Sequence, residues 1–159
     1  MKRMIVFNVG GALCVLLRID NKTIISDIGK SSSFNPVTDF LVPFYQKQSA
    51  QKNKDGKYMI DQLIISHPHE DHISALEDFD KYFDTQLLTC PNDKVDSSCP
   101  DDTLDLSQFD TSSKNVKLLK RLYDLRSLPL RTIINNSSVD KQLLYYLKPR
   151  KVKNKSLFQ

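Results

Sequence analysis

Tryptophan is absent from this 159-residue chain, glycine occurs only four times and cysteine three times. No phosphate-binding glycine loop and no serine-nucleophile elbow can be found, which removes two large classes of nucleotide-binding and hydrolytic proteins. No CxxC pair occurs, so a zinc ribbon is excluded. The odd cysteine count fits no disulfide framework. Cys90 and Cys99 are close enough in sequence to bridge, yet reduced thiols in a cytoplasmic protein are the simpler account. Long apolar runs are missing too. The stretch after Lys2-Arg3 is interrupted by Asn8 and by Gly10-Gly11. It is too short to span a bilayer and lacks the cleavage site of a signal peptide, so no membrane partner is expected. The most consequential absence is of histidine beyond residue 72.

What is present is a globular composition, 40% hydrophobic and 26% charged, in a chain of one-domain length that can bury a real core. The net charge of +4 is modest, and much of it sits in Lys148-Pro149-Arg150-Lys151-Val152-Lys153-Asn154-Lys155. A basic terminus of this kind is usually a solvated end, and residues 149–159 are read as a tail on a domain spanning residues 1–148. The same lysines would suit phosphate contacts with a nucleic acid or a phosphodiester substrate.

All three histidines fall in one window, His67-Pro68-His69-Glu70-Asp71-His72, directly after the apolar run Leu63-Ile64-Ile65-Ser66. Imidazole and carboxylate are preferred ligands of zinc and related divalent ions, and a buried strand gives such a loop a rigid base. His67 and His69 share a parity, so continued extended backbone would project both rings from one face and let them hold one ion. Asp71 and His72 come one turn later, at the start of a helix running on to Phe79, and would serve a second ion. The alternative reading is a solvated histidine patch with Asp71 as a helix cap.

The His67-Pro68-His69-Glu70-Asp71-His72 spelling resembles the HxHxDH loop of the metallo-β-lactamase superfamily. Upstream, Met4 to Ile19, Thr23-Ile24-Ile25-Ser26 and the turn Asp27-Ile28-Gly29 resemble that fold's opening strands and its Asp-x-Gly turn. The Val9-Gly10 start and Ser66-His67-Pro68-His69 are most similar to the hydrolase-like domains of bacterial competence proteins. The resemblance covers the chain to about Phe83. It implies an α/β fold, an αββα sandwich of which this chain would hold the N-terminal half and part of the second. It also implies one or two zinc ions, with manganese or iron as substitutes, in a hydrolase of esters, amides, thioesters or phosphodiesters. Carried over by position, His67 and His69 would bind the first metal and Asp71 and His72 the second. Asp71 would also take part in catalysis, and Asp27 would support the loop. The superfamily completes its site with downstream histidines and a bridging aspartate or cysteine, which no recognisable spacing here supplies. A shortened chain, a degenerate non-catalytic scaffold or interaction module, and a partner chain that completes the site are the three ways to account for this.

Elsewhere, Phe7-Asn8-Val9 and Ala12 to Leu17 form a hairpin about Gly10-Gly11. Phe40, Leu41, Phe44 and Tyr45 give residues 37–48 helical spacing, with a kink or early turn at Pro43. Residues 46–57 are polar and read as exposed. Met59 to Ile65 reads as the strand that carries the histidine loop. Leu76, Phe79 and Phe83 mark the next helix, and Gln86 to Cys90 a short strand. Residues 91–113 form an acidic connection that could border the site. Val116 to Leu125 is an amphipathic helix, and Asn135 to Ser138 caps a last helix through Leu147 that Pro149 ends.

Overall fold

The aliphatic runs near the N-terminus form three antiparallel strands, β1 (Lys2–Val6), β2 (Cys14–Ile19) and β3 (Lys22–Ile28). The computed structural model describes residues 2–90, 106 and 109–126. Strands β4 (Tyr58–Ile64) and β5 (Phe83–Thr89) add in parallel beside β3, giving a five-stranded mixed sheet in the order β1-β2-β3-β4-β5. Parallel neighbours require crossovers. A π-helical turn, Pro36–Leu41, running into α1 (Val42–Lys47) makes the first. The short helices α2 (Glu70–Ile73) and α3 (Leu76–Tyr82) make the second, and α4 (Lys114–Arg126) packs on α3 and β5.

One row of side chains explains why these strands associate. Leu16, Ile25, Leu63 and Leu88 are register partners across β2, β3, β4 and β5, and all are buried. Helix residues Leu41, Ile73, Leu76, Phe79, Leu119 and Leu122 join them in one core cluster. Each such side chain contributes about 1.5–3 kcal/mol through burial. The fold is therefore α/β as expected. Among the described residues there is one sheet with its helices, which accounts for one α/β half of an αββα sandwich. No helix among the described residues is long and apolar enough to cross a membrane.

Several local expectations shift. The hairpin strands pair from Lys2 with Ile19 to Val6 with Val15, so Phe7-Asn8-Val9 belongs to the connection rather than to a strand. Phe7 and Val9 are drawn into the core instead, with the Phe7 ring 5.1 Å from that of Phe40. The helix after the histidine loop is two helices. It breaks at Ser74-Ala75, where Ala75 N donates to Ile28 O at 2.9 Å and Lys30 N donates to Ser74 Oγ at 2.8 Å. Phe83 opens β5 in extended backbone and is not on a helix; its ring stacks on Phe79 at 5.6 Å, which preserves the apolar spacing. Pro43 falls in the first turn of α1, where a missing N–H costs little, and the wider π turn precedes it. The last helix, the boundary at residue 148, the basic tail and Cys99 lie outside the described residues.

Candidate metal centre

The C-terminal ends of the parallel strands β3 and β4 lie side by side, with Ser26 opposite Ile64. Just beyond them, β3 delivers Asp27 and β4 delivers Ser66, in the crevice position where open α/β sheets commonly place ligands. The pairing of β2 with β3 steps from Val15 opposite Ser26 to Cys14 opposite Ile28, so Asp27 is an extra residue in a β-bulge. Its φ of 56° is a left-handed conformation that an aspartate tolerates better than most side chains. Such a bulge re-aims a side chain. Here it buries the Asp27 carboxylate completely and turns it to the neighbouring strand.

Asp27 Oδ1 accepts from Ser66 N at 2.8 Å and from Ser66 Oγ at 2.9 Å. His72 Nδ1 lies 3.3 Å from the same oxygen. The second oxygen, Oδ2, is buried without a hydrogen-bond partner among the described residues. Ser66 Oγ in turn stands 3.0 Å from His67 Nδ1 and 3.0 Å from His72 Nδ1.

The histidine loop is compact. The rings of His67 and His69 are 4.6 Å apart and edge-on, and those of His67 and His72 are 3.8 Å apart. Donor atoms of His67, His69 and Asp71 all lie within 4.8 Å of one another, making a group that could hold a metal ion. His72 Nε2 is 3.4 Å from Asp71 Oδ2. All four residues singled out in the sequence thus come together, although Asp71 groups with His67 and His69, and His72 faces Asp27. His69 is the extended residue before α2 and makes no side-chain cap; Glu70 and Asp71 occupy the first turn, so Asp71 is not the cap either. The residue chemistry fits a divalent ion. Imidazole and carboxylate donors converge, and the orphaned, buried Asp27 Oδ2 is an anionic atom that a nearby cation would stabilise.

Backbone contacts lock the loop to the sheet. Leu13 N donates to Asp71 O at 3.1 Å and Gly29 N donates to Leu13 O at 2.8 Å. Gly29 is required by space: a Cβ there would stand 2.1 Å from Asp71 O. Lys30 pairs with Asp78 at 2.9 Å, and Asn35 Nδ2 donates to the same Asp78 oxygen at 2.7 Å. Burial alone would raise the Asp78 carboxyl, but these two bonds and the Lys30 charge outweigh it and hold it below the ordinary range.

Three contributors were not singled out by sequence reasoning. Ser66 was visible only as the residue before the first histidine, and Gly29 only as a turn glycine. Phe109, from the far part of the acidic connection, places its ring 5.4 Å from that of His69, so this described residue of the connection borders the site. Cys90, directly after β5, carries a thiol of the kind that can ligate metals. It lies outside the convergent group, and burial, helped by the Asp27 charge, pushes its thiol up to about 12, the wrong direction for a thiolate ligand. Cys14 is raised to about 12 by the same two causes.

A mixed α/β chain with a histidine- and aspartate-bearing loop at the end of a buried parallel strand is the architecture of a metal-binding domain. The model of the metallo-beta-lactamase superfamily matches residues 7–124, and the chain belongs to that superfamily. Its members are usually metal-dependent hydrolases. The match extends well past Phe83, taking in β5 and most of α4. A search of curated proteins gave no match.

Proposed function

We propose that the protein is a metal-dependent hydrolase of a small-molecule ester or phosphodiester, with zinc as its metal and His67, His69, Asp71 and His72 as the ligands. The observation that carries this is the convergence of His67, His69 and Asp71 donor atoms within 4.8 Å. One or two divalent ions bound there would polarise the scissile bond and make hydroxide available from water near neutral pH. The chain's own residues divide the remaining work. His67 and His69 would anchor the first ion, and His72, held from behind by Asp27, would present Nε2 beside Asp71 Oδ2. Asp71, which is exposed, would bind metal and take a proton as the substrate is cleaved. Phe109 would wall the site next to His69.

Within the superfamily, the Val9-Gly10 start and Ser66-His67-Pro68-His69 support a place near the hydrolase-like domains of competence proteins. The lysines and arginine of residues 148–155 support a phosphodiester over a neutral ester. The protein works without a membrane in this reading, in the cytoplasm, where its cysteines stay reduced. Because no histidine follows His72, additional ligands would come from a partner chain or from a further segment. The test is hydrolysis of bis(p-nitrophenyl) phosphate and p-nitrophenyl acetate by the purified chain loaded with zinc or manganese. Turnover lost in His69→Ala supports the proposal. Metal binding without turnover of either compound would instead support a non-catalytic domain acting as a scaffold or interaction module.

A further inference from the structure

Ser66 is the only side chain that touches Asp27, His67 and His72 together among the described residues. A serine hydroxyl carries one proton and two acceptor lone pairs. The proton is committed, since Oγ lies 2.9 Å from Asp27 Oδ1, a carboxylate oxygen that can only accept. The two remaining contacts, 3.0 Å to His67 Nδ1 and 3.0 Å to His72 Nδ1, must therefore be made with Oγ as acceptor and each ring as donor. A neutral imidazole that donates from Nδ1 is bare at Nε2.

We propose that Ser66 is a positioning residue that fixes the tautomers of His67 and His72, so that both rings offer Nε2 to the metal. This rests on the metal-binding reading only for what those nitrogens are for; the tautomers follow from the 3.0 Å contacts at Nδ1, which at His72 are shorter than the 3.4 Å between Nε2 and Asp71 Oδ2. The two rings are not held equally. His72 Nδ1 has a second acceptor, Asp27 Oδ1 at 3.3 Å, whereas the Ser66 hydroxyl is the acceptor that fixes His67. Loss of the hydroxyl should free His67 and leave His72 in place.

Long-range nitrogen–proton spectra of the full-length, metal-stripped chain in alkaline buffer, where imidazole is neutral, report each tautomer directly. The expected result is Nδ1–H at both His67 and His72 in the wild type. In Ser66→Ala, His67 should move to the Nε2–H form while His72 keeps its proton on Nδ1, and Ser66→Thr should restore the wild-type pattern. Titration with zinc alone should show binding weakened roughly 10- to 100-fold in Ser66→Ala and recovered in Ser66→Thr, the usual scale for losing a ligand's outer hydrogen bond. An Nε2–H tautomer at either ring of the wild type, or a His67 unchanged by Ser66→Ala, would overturn the proposal. The wild-type spectrum decides the matter even if a variant fails to fold. Wild-type tautomers as stated in a chain that takes up no zinc would uphold the role of Ser66 and defeat the metal-binding reading.

Discussion

Replacing Gly29 with alanine probes how the histidine loop is joined to the sheet. The added Cβ would lie 2.1 Å from Asp71 O, 2.8 Å from Ala12 Cβ and 2.9 Å from Leu13 O. Two of these are backbone oxygens in a connected set of bonds, Gly29 N to Leu13 O and Leu13 N to Asp71 O, so no flexible side chain can swing away. Relief requires the Asp71 carbonyl to retreat by about 1 Å, an overpacking cost of about 1–3 kcal/mol. The retreat also breaks the bond from Leu13 N, worth about 1 kcal/mol. The sum is about 2–4 kcal/mol, and for a chain of this size it lowers Tm by about 5–15 °C. Gly11→Ala is the matched control, since nothing lies within 4 Å of its Cβ and its φ is not left-handed. It should leave stability within about 0.5 kcal/mol of wild type. Thermal unfolding followed by circular dichroism on the metal-free proteins measures both. A Gly29→Ala protein that melts within about 1 °C of Gly11→Ala would refute the reasoning.

Burial pushes the thiols of Cys14 and Cys90 up from an ordinary 9.0 to about 12, so at mildly alkaline pH both should resist iodoacetamide in the folded protein and react promptly in urea. Site-resolved mass spectrometry checks this, and prompt native alkylation of either would contradict it. Because these thiols are raised, the stability they contribute is complete below 9.0 and is lost as pH climbs from there towards about 12. Asp78 is shifted the other way: its stabilisation is present above its ordinary 3.8 and is lost as pH falls through its lower folded value. Asp78→Asn should flatten the acid limb of urea stability measured across that range, and an unchanged slope would argue against the Lys30–Asp78–Asn35 cluster as a stabilising unit.

The strand before the histidines and the histidine loop itself were legible because their signals are local: an apolar run, then ligand residues at fixed spacing. The row Leu16, Ile25, Leu63 and Leu88 follows from patterns visible within each strand. Phe83 was misplaced for a physical reason. Its spacing from Leu76 and Phe79 satisfies a helical stripe, yet the helix ends at Tyr82 and Phe83, already extended, packs the same ring from a strand. Phe7 and Val9 looked like strand residues because burial, not pairing, selects their apolar side chains. The partnership of Asp27 with Ser66 was hidden, since it joins residues 39 positions apart through a bulge that no local pattern announces. The grouping of Asp71 with His67 and His69 likewise depends on how α2 leaves the loop.

Metal content bears most directly on the central claim, that the His67–His72 window is a metal centre. Elemental mass spectrometry of the purified chain should find about one or two zinc or manganese ions per molecule, and none retained in His69→Ala, since a site this small does not hold an ion once one converging donor is removed. Equal metal content in wild type and His69→Ala would contradict the account.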